Sequence, residues 1–154
     1  MQNNINNSNY SNYGTTGAVN DSSSGQIGSS GTTADGKSSI AGLNLFNGLI
    51  QVDAIDAEAN AAWNNTGSSS TSVKFTNMHI AGLTLASTPA PNTRIPLPGI
   101  GYAVLNEQST NISSSGANAA VNAIDVYVTQ ANSFGVLAGS NLIIGYAFAS
   151  VVNY

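Results

Sequence analysis

Cysteine is absent from this chain. Disulfides, thiolate nucleophiles and cysteine-ligated zinc are therefore excluded. Cations are almost absent as well: Lys37, Lys74 and Arg94 stand against seven acids, for a net charge of −4. Binding nucleic acid requires a cationic patch that neutralises phosphates, and a polybasic membrane contact requires the same. Three dispersed cations make neither. Charged residues of both signs reach only 6%, against roughly 25% in ordinary globular chains. No apolar run approaches the 18 or so residues of a membrane-spanning helix. The N-terminus, Met1-Gln2-Asn3-Asn4-Ile5-Asn6-Asn7, lacks the positive start and apolar core of a signal peptide.

Histidine occurs once, at His79. A catalytic triad or a histidine metal site would have to use it, yet Asn77-Met78-His79-Ile80 reads as plain strand with no nucleophile signature nearby. A glycosidase needs two opposed carboxylates. A pair such as Glu58 and Glu107 keeps a hydrolase as a remote alternative, and nothing in the sequence marks it. Calcium is the one cofactor left open, from loop and strand carboxylates, and no Asp-x-Asp-x-Asp loop is present. Gly99 and Gly101 open a strand rather than a helix, so they form no phosphate loop. Lys74, on a strand in an asparagine-rich chain, is permissive for an amide crosslink to an Asn side chain. No catalytic, cofactor-binding or metal residue is assigned.

What fills the chain is Ser, Thr, Asn, Gly and Ala, a composition suited to a wet, hydrogen-bonding β surface. At 154 residues one domain is expected. Residues 1–36 are low in complexity and offer too little apolar area to offset their conformational entropy. They are expected to form a flexible arm, either an inert tail or a segment that orders on a neighbouring subunit. The domain proper is expected over 37–154.

Within it, Ser39 to Phe46 reads as a strand. Asn47-Gly48, a strong hairpin signal, leads to a long return strand from Leu49 to Trp63. Alternation there changes phase, which suggests a β-bulge near Asp53-Ala54; the strand reading is taken over an amphipathic helix. Residues 64–72 and 109–117 read as polar loops. Strands are expected at 73–80, 101–108, 119–129 and 141–152, the last central and covered on both faces because it is apolar on both parities. Ile-Ala-Gly-Leu-x-Leu occurs at Ile40 and again at Ile80, suggesting two similar strands.

All four prolines fall between Thr88 and Gln108, together with Arg94. They exclude helix and remove ladder donors, so an extended, edge-like segment ending in a turn at Pro98-Gly99 is expected. An Arg94–Glu107 ion pair is expected to hold it. The class that results is all-β: a two-layer, jelly-roll-like sandwich of about seven or eight strands.

Three blocks carry a resemblance: Ala41 to Ile55, Pro91 to Gln108 (Pro-Asn-Thr-Arg-Ile-Pro-Leu-Pro-Gly-Ile-Gly-Tyr-Ala-Val-Leu-Asn-Glu-Gln) and Val121 to Thr129. In matching order over most of 39–150 they resemble the choice-of-anchor P domain of exported or cell-surface bacterial proteins. The resemblance implies an extracellular or surface location and a non-enzymatic module, and it supplies no catalytic residues. Such proteins usually carry a leader and an anchoring tail. Neither is seen in this sequence, which favours assembly with copies of itself into a fibre or layer. The alternative is an adhesin that reads surface glycans through Trp63, Tyr102 and Tyr127.

Overall fold

The computed structural model describes residues 1–5, 8–10 and 12–153. Its elements are all strands: β1 (Gln2–Ile5), β2 (Ser8–Tyr10), β3 (Gly14–Thr16), β4 (Val19–Gly28), β5 (Gly31–Leu45), β6 (Ile50–Asn64), β7 (Thr66–Thr76), β8 (His79–Ile80), β9 (Leu83–Thr84), β10 (Thr93–Leu97), β11 (Gly101–Ser113), β12 (Gly116–Val128) and β13 (Asn141–Val152). They form two antiparallel sheets that pack face to face as a β-sandwich. The first sheet runs β4-β5-β6-β7, with β1 beyond β4, β2 and β3 beside β5, and β8 and β9 beside β6. The second runs β10-β11-β12-β13. Strands β4 to β7 and β10 to β13 are neighbours in chain order, whereas β1, β3 and β8 pair out of order with β4, β5 and β6.

The core lies between the sheets. Ile50, Ile55, Ala57, Ala59, Phe75 and Ile80 from the first sheet meet Ala103, Leu105, Val121, Ile124 and Val126 from the second. The alanine row of β6 lets the layers approach closely. At Gly36 on β5, an added Cβ would strike the backbone carbonyl of Phe148, so β13 lies directly on β5.

The phase change expected near Asp53 is present and has counterparts in neighbouring strands. In β6 the buried set switches from Ile50 and Val52 to Ile55, Ala57 and Ala59. Neighbouring β5 switches at Gly42, and the chain between β7 and β8 switches at Asn77. Gly42 and Asn77 hold φ of 67° and 48°, and the pairings of Asp53 with both are missing from otherwise constant registers. Asn77 Nδ2 donates to Asp53 Oδ2 at 2.6 Å and closes the line. The result is a crease across the sheet that turns the buried face over without slipping the strands. The second sheet repeats the device at Asn106 (φ 53°), Ala123 and Gly145 (φ 69°). The two middle strands carry one pattern there: Val52-Asp53-Ala54-Ile55-Asp56 and Val121-Asn122-Ala123-Ile124-Asp125.

Several expectations are corrected. Residues 14–36, expected in an arm, supply β3, β4 and the start of β5, and β4 is paired with β5 along its whole length. Gln2–Ile5 and Ser8–Tyr10 are paired too; Asn6, Asn7, Ser11 and Tyr154 lie outside the described residues. The expected polar loops at 64–72 and 109–117 are strand as well, in the β6–β7 and β11–β12 hairpins. A ladder satisfies backbone N–H and C=O groups whatever the side chains are, so Ser/Thr-rich hairpin ends persist beyond the core. The second Ile-Ala-Gly-Leu copy is a tight β8–β9 turn at Ala81-Gly82, whereas the first is a creased strand. β13 is an edge strand, not a central one: its outward Ile143, Tyr146, Phe148 and Val152 are about half exposed.

Candidate functional site

The two edges of the second sheet differ in kind. Edge β10 is short and holds Pro96, which pairs with Tyr102 on β11. Proline has no N–H to give, so its nitrogen belongs on the free side of an edge strand, where it guards against further pairing. Pro98-Gly99 closes the β10–β11 turn: Ile100 N donates to Leu97 O at 3.1 Å, and Gly99 takes φ 74°, the signature of a type II turn.

Edge β13 carries no proline and no charged residue. Its Asn141 to Tyr146 stretch borders a groove of about 450 Å³. The floor is the inner face of the first sheet where that sheet extends past the second, with Val19, Ile40, Leu43 and Leu45. Leu142 and Ile144 form the wall. Asp21 is the one charged side chain in the lining; it accepts a hydrogen bond from the buried Ser38 Oγ at 2.6 Å. The groove lies between the two sheets, bounded by a strand edge with no neighbour among the described residues.

The outer face of the same sheet carries a polar cluster. Tyr102 lies between Arg94 and Tyr127: the guanidinium carbon is 3.6 Å from its ring centroid, and the Tyr127 ring is stacked at 4.8 Å. Tyr127 Oη donates to Glu107 Oε1 at 2.9 Å. Asn122 Nδ2 reaches Glu107 Oε2 at 3.3 Å and Asp125 Oδ2 at 3.5 Å. Asp125 is only 2% exposed, and its Oδ1 is buried with no hydrogen-bond partner. Burial, then the adjacent Glu107 carboxylate, push the Asp125 carboxyl up to about 6. The bond to Glu107, burial and the Asp125 charge push the Tyr127 phenol up to about 12.

The expected site residues fall as follows. Arg94 stands on Tyr102, and no Arg94–Glu107 ion pair forms among the described residues; Lys37–Glu58 at 3.0 Å is the ion pair present. The proline segment is pinned instead by Asn106. Its Nδ2 donates to Pro89 O at 3.0 Å, and its carbonyl accepts from Asn92 N at 3.0 Å. Asn47 and Gly48 form the β5–β6 turn at positive φ, within a four-residue loop closed by Leu45 and Ile50. Glu58 and Glu107 lie on outer faces of opposite sheets, so they cannot oppose one another across a cleft. Trp63 sits half-buried at the end of β6, beside Gly67 of the first sheet, away from the Tyr102–Tyr127 pair. Tyr102 has both ring faces covered, so the three aromatics form no common sugar-stacking surface. His79 is exposed, with Nδ1 3.1 Å from Thr84 Oγ1. Lys74 is exposed opposite Asp56 in the register. Among the described residues, no three His, Cys, Asp or Glu side chains gather in a metal-binding group. Asn122 and Asp125 are the functional candidates that the sequence reading missed. Their link to Glu107 depends on a cross-strand register, and the repeated Val-Asx-Ala-Ile-Asp pattern was the available signal.

No family model, curated protein or solved structure matches the chain.

Proposed function

We propose that the chain is a structural subunit that joins copies of itself into an extracellular fibre or layer, an extended segment of one copy adding as a strand to the open edge of β13 in the next. The observation that carries this reading is the unguarded β13 edge beside a largely apolar groove of about 450 Å³. Backbone pairing at the edge would supply affinity, and alternate side chains would drop onto Val19, Ile40 and Leu43.

The donor we favour is residues 1–13 of a neighbour, exchanged out of their pairings with β4, β3 and Phe46 in their own copy. They hold no charged side chain, so their burial beside Asp21 strands no ion. Low charge throughout the chain keeps repulsion between copies small. The resemblance to choice-of-anchor P domains supports a cell-surface setting and a role without catalysis.

The test is negative-stain microscopy and sedimentation of the full chain, of a Leu142→Lys variant, and of a chain lacking residues 1–13. Fibres or sheets from the full chain, with discrete monomers from both variants, are expected. A full chain that stays monomeric at millimolar concentration would sink the proposal, as would fibres that persist in both variants.

A further inference from the structure

We propose that Glu107, Asp125 and Asn122 form a divalent-cation site, for calcium by its chemistry, on the outer face of the second sheet. A buried carboxylate requires hydrogen bonds or a counter-charge. Asp125 has neither in sufficient measure: Oδ1 has no partner, and Oδ2 has one long contact at 3.5 Å, to the same amide that serves Glu107. Two carboxylate heads therefore lie side by side: Glu107 is also held by Tyr127 Oη, whereas Asp125 has only its share of the Asn122 amide. The nearest cationic side chain of β10, Arg94, is engaged on the ring of Tyr102.

The repeated pattern supplies an internal control. Asp56 occupies the same place in Val-Asx-Ala-Ile-Asp on β6. It is exposed, and it accepts from Ser39 Oγ at 2.8 Å. The crease thus forms with a solvated, satisfied aspartate. Burial of Asp125 against a second carboxylate is an addition, and it leaves an oxygen free.

The available donors are all oxygen: Glu107 Oε2, both Asp125 oxygens, and Asn122 Oδ1 once its amide turns over. Hard oxygen donors select calcium or magnesium over zinc or copper, and calcium tolerates an irregular set completed by water. Tyr127 Oη holds Glu107 by Oε1 and leaves Oε2 to the ion. Two carboxylates place the affinity in the weak range of extracellular calcium modules, a Kd of about 10⁻⁴ to 10⁻³ M.

Terbium is the probe, because an excited tyrosine beside the site sensitises its emission. The full chain should show saturable tyrosine-excited terbium luminescence that calcium displaces at about millimolar concentration. Asp125→Asn and Glu107→Gln should each weaken terbium binding about tenfold or more, and Asp56→Asn should not change it. Both site variants are isosteric, and circular dichroism checks their folding; either alone decides the outcome if the other misfolds. Absence of sensitised emission from the full chain overturns the assignment, as does a folded Asp125→Asn chain that binds terbium as the unaltered chain does.

Discussion

The middle strands of the two sheets, β6 and β12, solve one folding problem with one short pattern, and they differ in what they leave exposed. Each buries the Val and the Ile of Val-Asx-Ala-Ile-Asp, and each switches face between them. Each is flanked by strands that cross the crease on residues with positive φ. On β6 the closing aspartate, Asp56, is solvated and satisfied; on β12 its counterpart, Asp125, is buried and short of partners. The glycines differ as well. An added Cβ on Gly42 would meet only Gly17 N at 3.9 Å, whereas on Gly145 it would press on Ala123 Cβ at 2.9 Å and Ile55 Cγ2 at 3.4 Å. The crease is thus the shared element. At the crease, the crowded glycine and the buried acid both belong to the second sheet.

The largest effect expected from this contrast is at the glycines. Gly42→Ala should cost about 1–2 kcal/mol, the left-handed backbone penalty for an L residue. Gly145→Ala adds a collision with side chains that cannot swing away, so its cost should exceed about 3 kcal/mol. Urea unfolding of the two variants measures both. Equal losses would mean that packing between the creases contributes nothing to the difference.

Next in size is the pH dependence of Asp125. Its folded-state pKa, raised to about 6 from 3.8, lies above the unfolded value. Below pH 4 both states hold the proton and the group is neutral in its effect. Between pH 4 and 6 the native state alone keeps it, so stability falls as pH rises. Above pH 6 the folded chain bears the full penalty. With chelator present, Asp125→Asn should stabilise the protein at pH 7.5 by on the order of 2 kcal/mol, and by almost nothing at pH 4. A gain that is the same at both pH values would remove the carboxyl charge as the cause.

Much of this fold is written in residues whose signals are local. The Asn47-Gly48 turn, the Pro98-Gly99 turn, the extended proline segment and the phase change at Asp53 each follow from backbone preference or period-two alternation, and each is where the sequence places it. Strand β13 shows where such reasoning stops. Its apolar residues on both parities suggested cover on both faces, yet Gly145 inverts the strand midway and the outer set stays exposed. The Ser- and Thr-rich stretches at 14–36, 64–72 and 109–117 are illegible for a related reason. Composition reports whether side chains want burial, and these strands are held by their ladders. The site was less legible still. The sequence marks Glu107 and Tyr127 separately, for an ion pair and for sugar stacking, and their meeting with Asn122 and Asp125 is set by the β11–β12 register. Asn106, the residue that pins the proline segment, gave no sign beyond its place in Leu-Asn-Glu-Gln.

The smallest effect is the one that tests whether the two aspartates really differ. Asp56 lies across from Lys74 in the β6–β7 register, both exposed, and accepts one hydroxyl hydrogen bond. Exposed pairs contribute roughly 0–1 kcal/mol and are screened by salt. Asp56→Asn keeps an acceptor for Ser39 and removes the charge, so it should destabilise by about 0.5 kcal/mol or less at low ionic strength. That loss should vanish at 1 M salt, where the screening length is about 3 Å. The gain from Asp125→Asn should persist at that salt, because Asp125 is shielded from solvent. Matching salt dependence for the two variants, followed by urea unfolding, would place Asp125 in solvent contact and remove the basis on which the outer faces of the two sheets are distinguished.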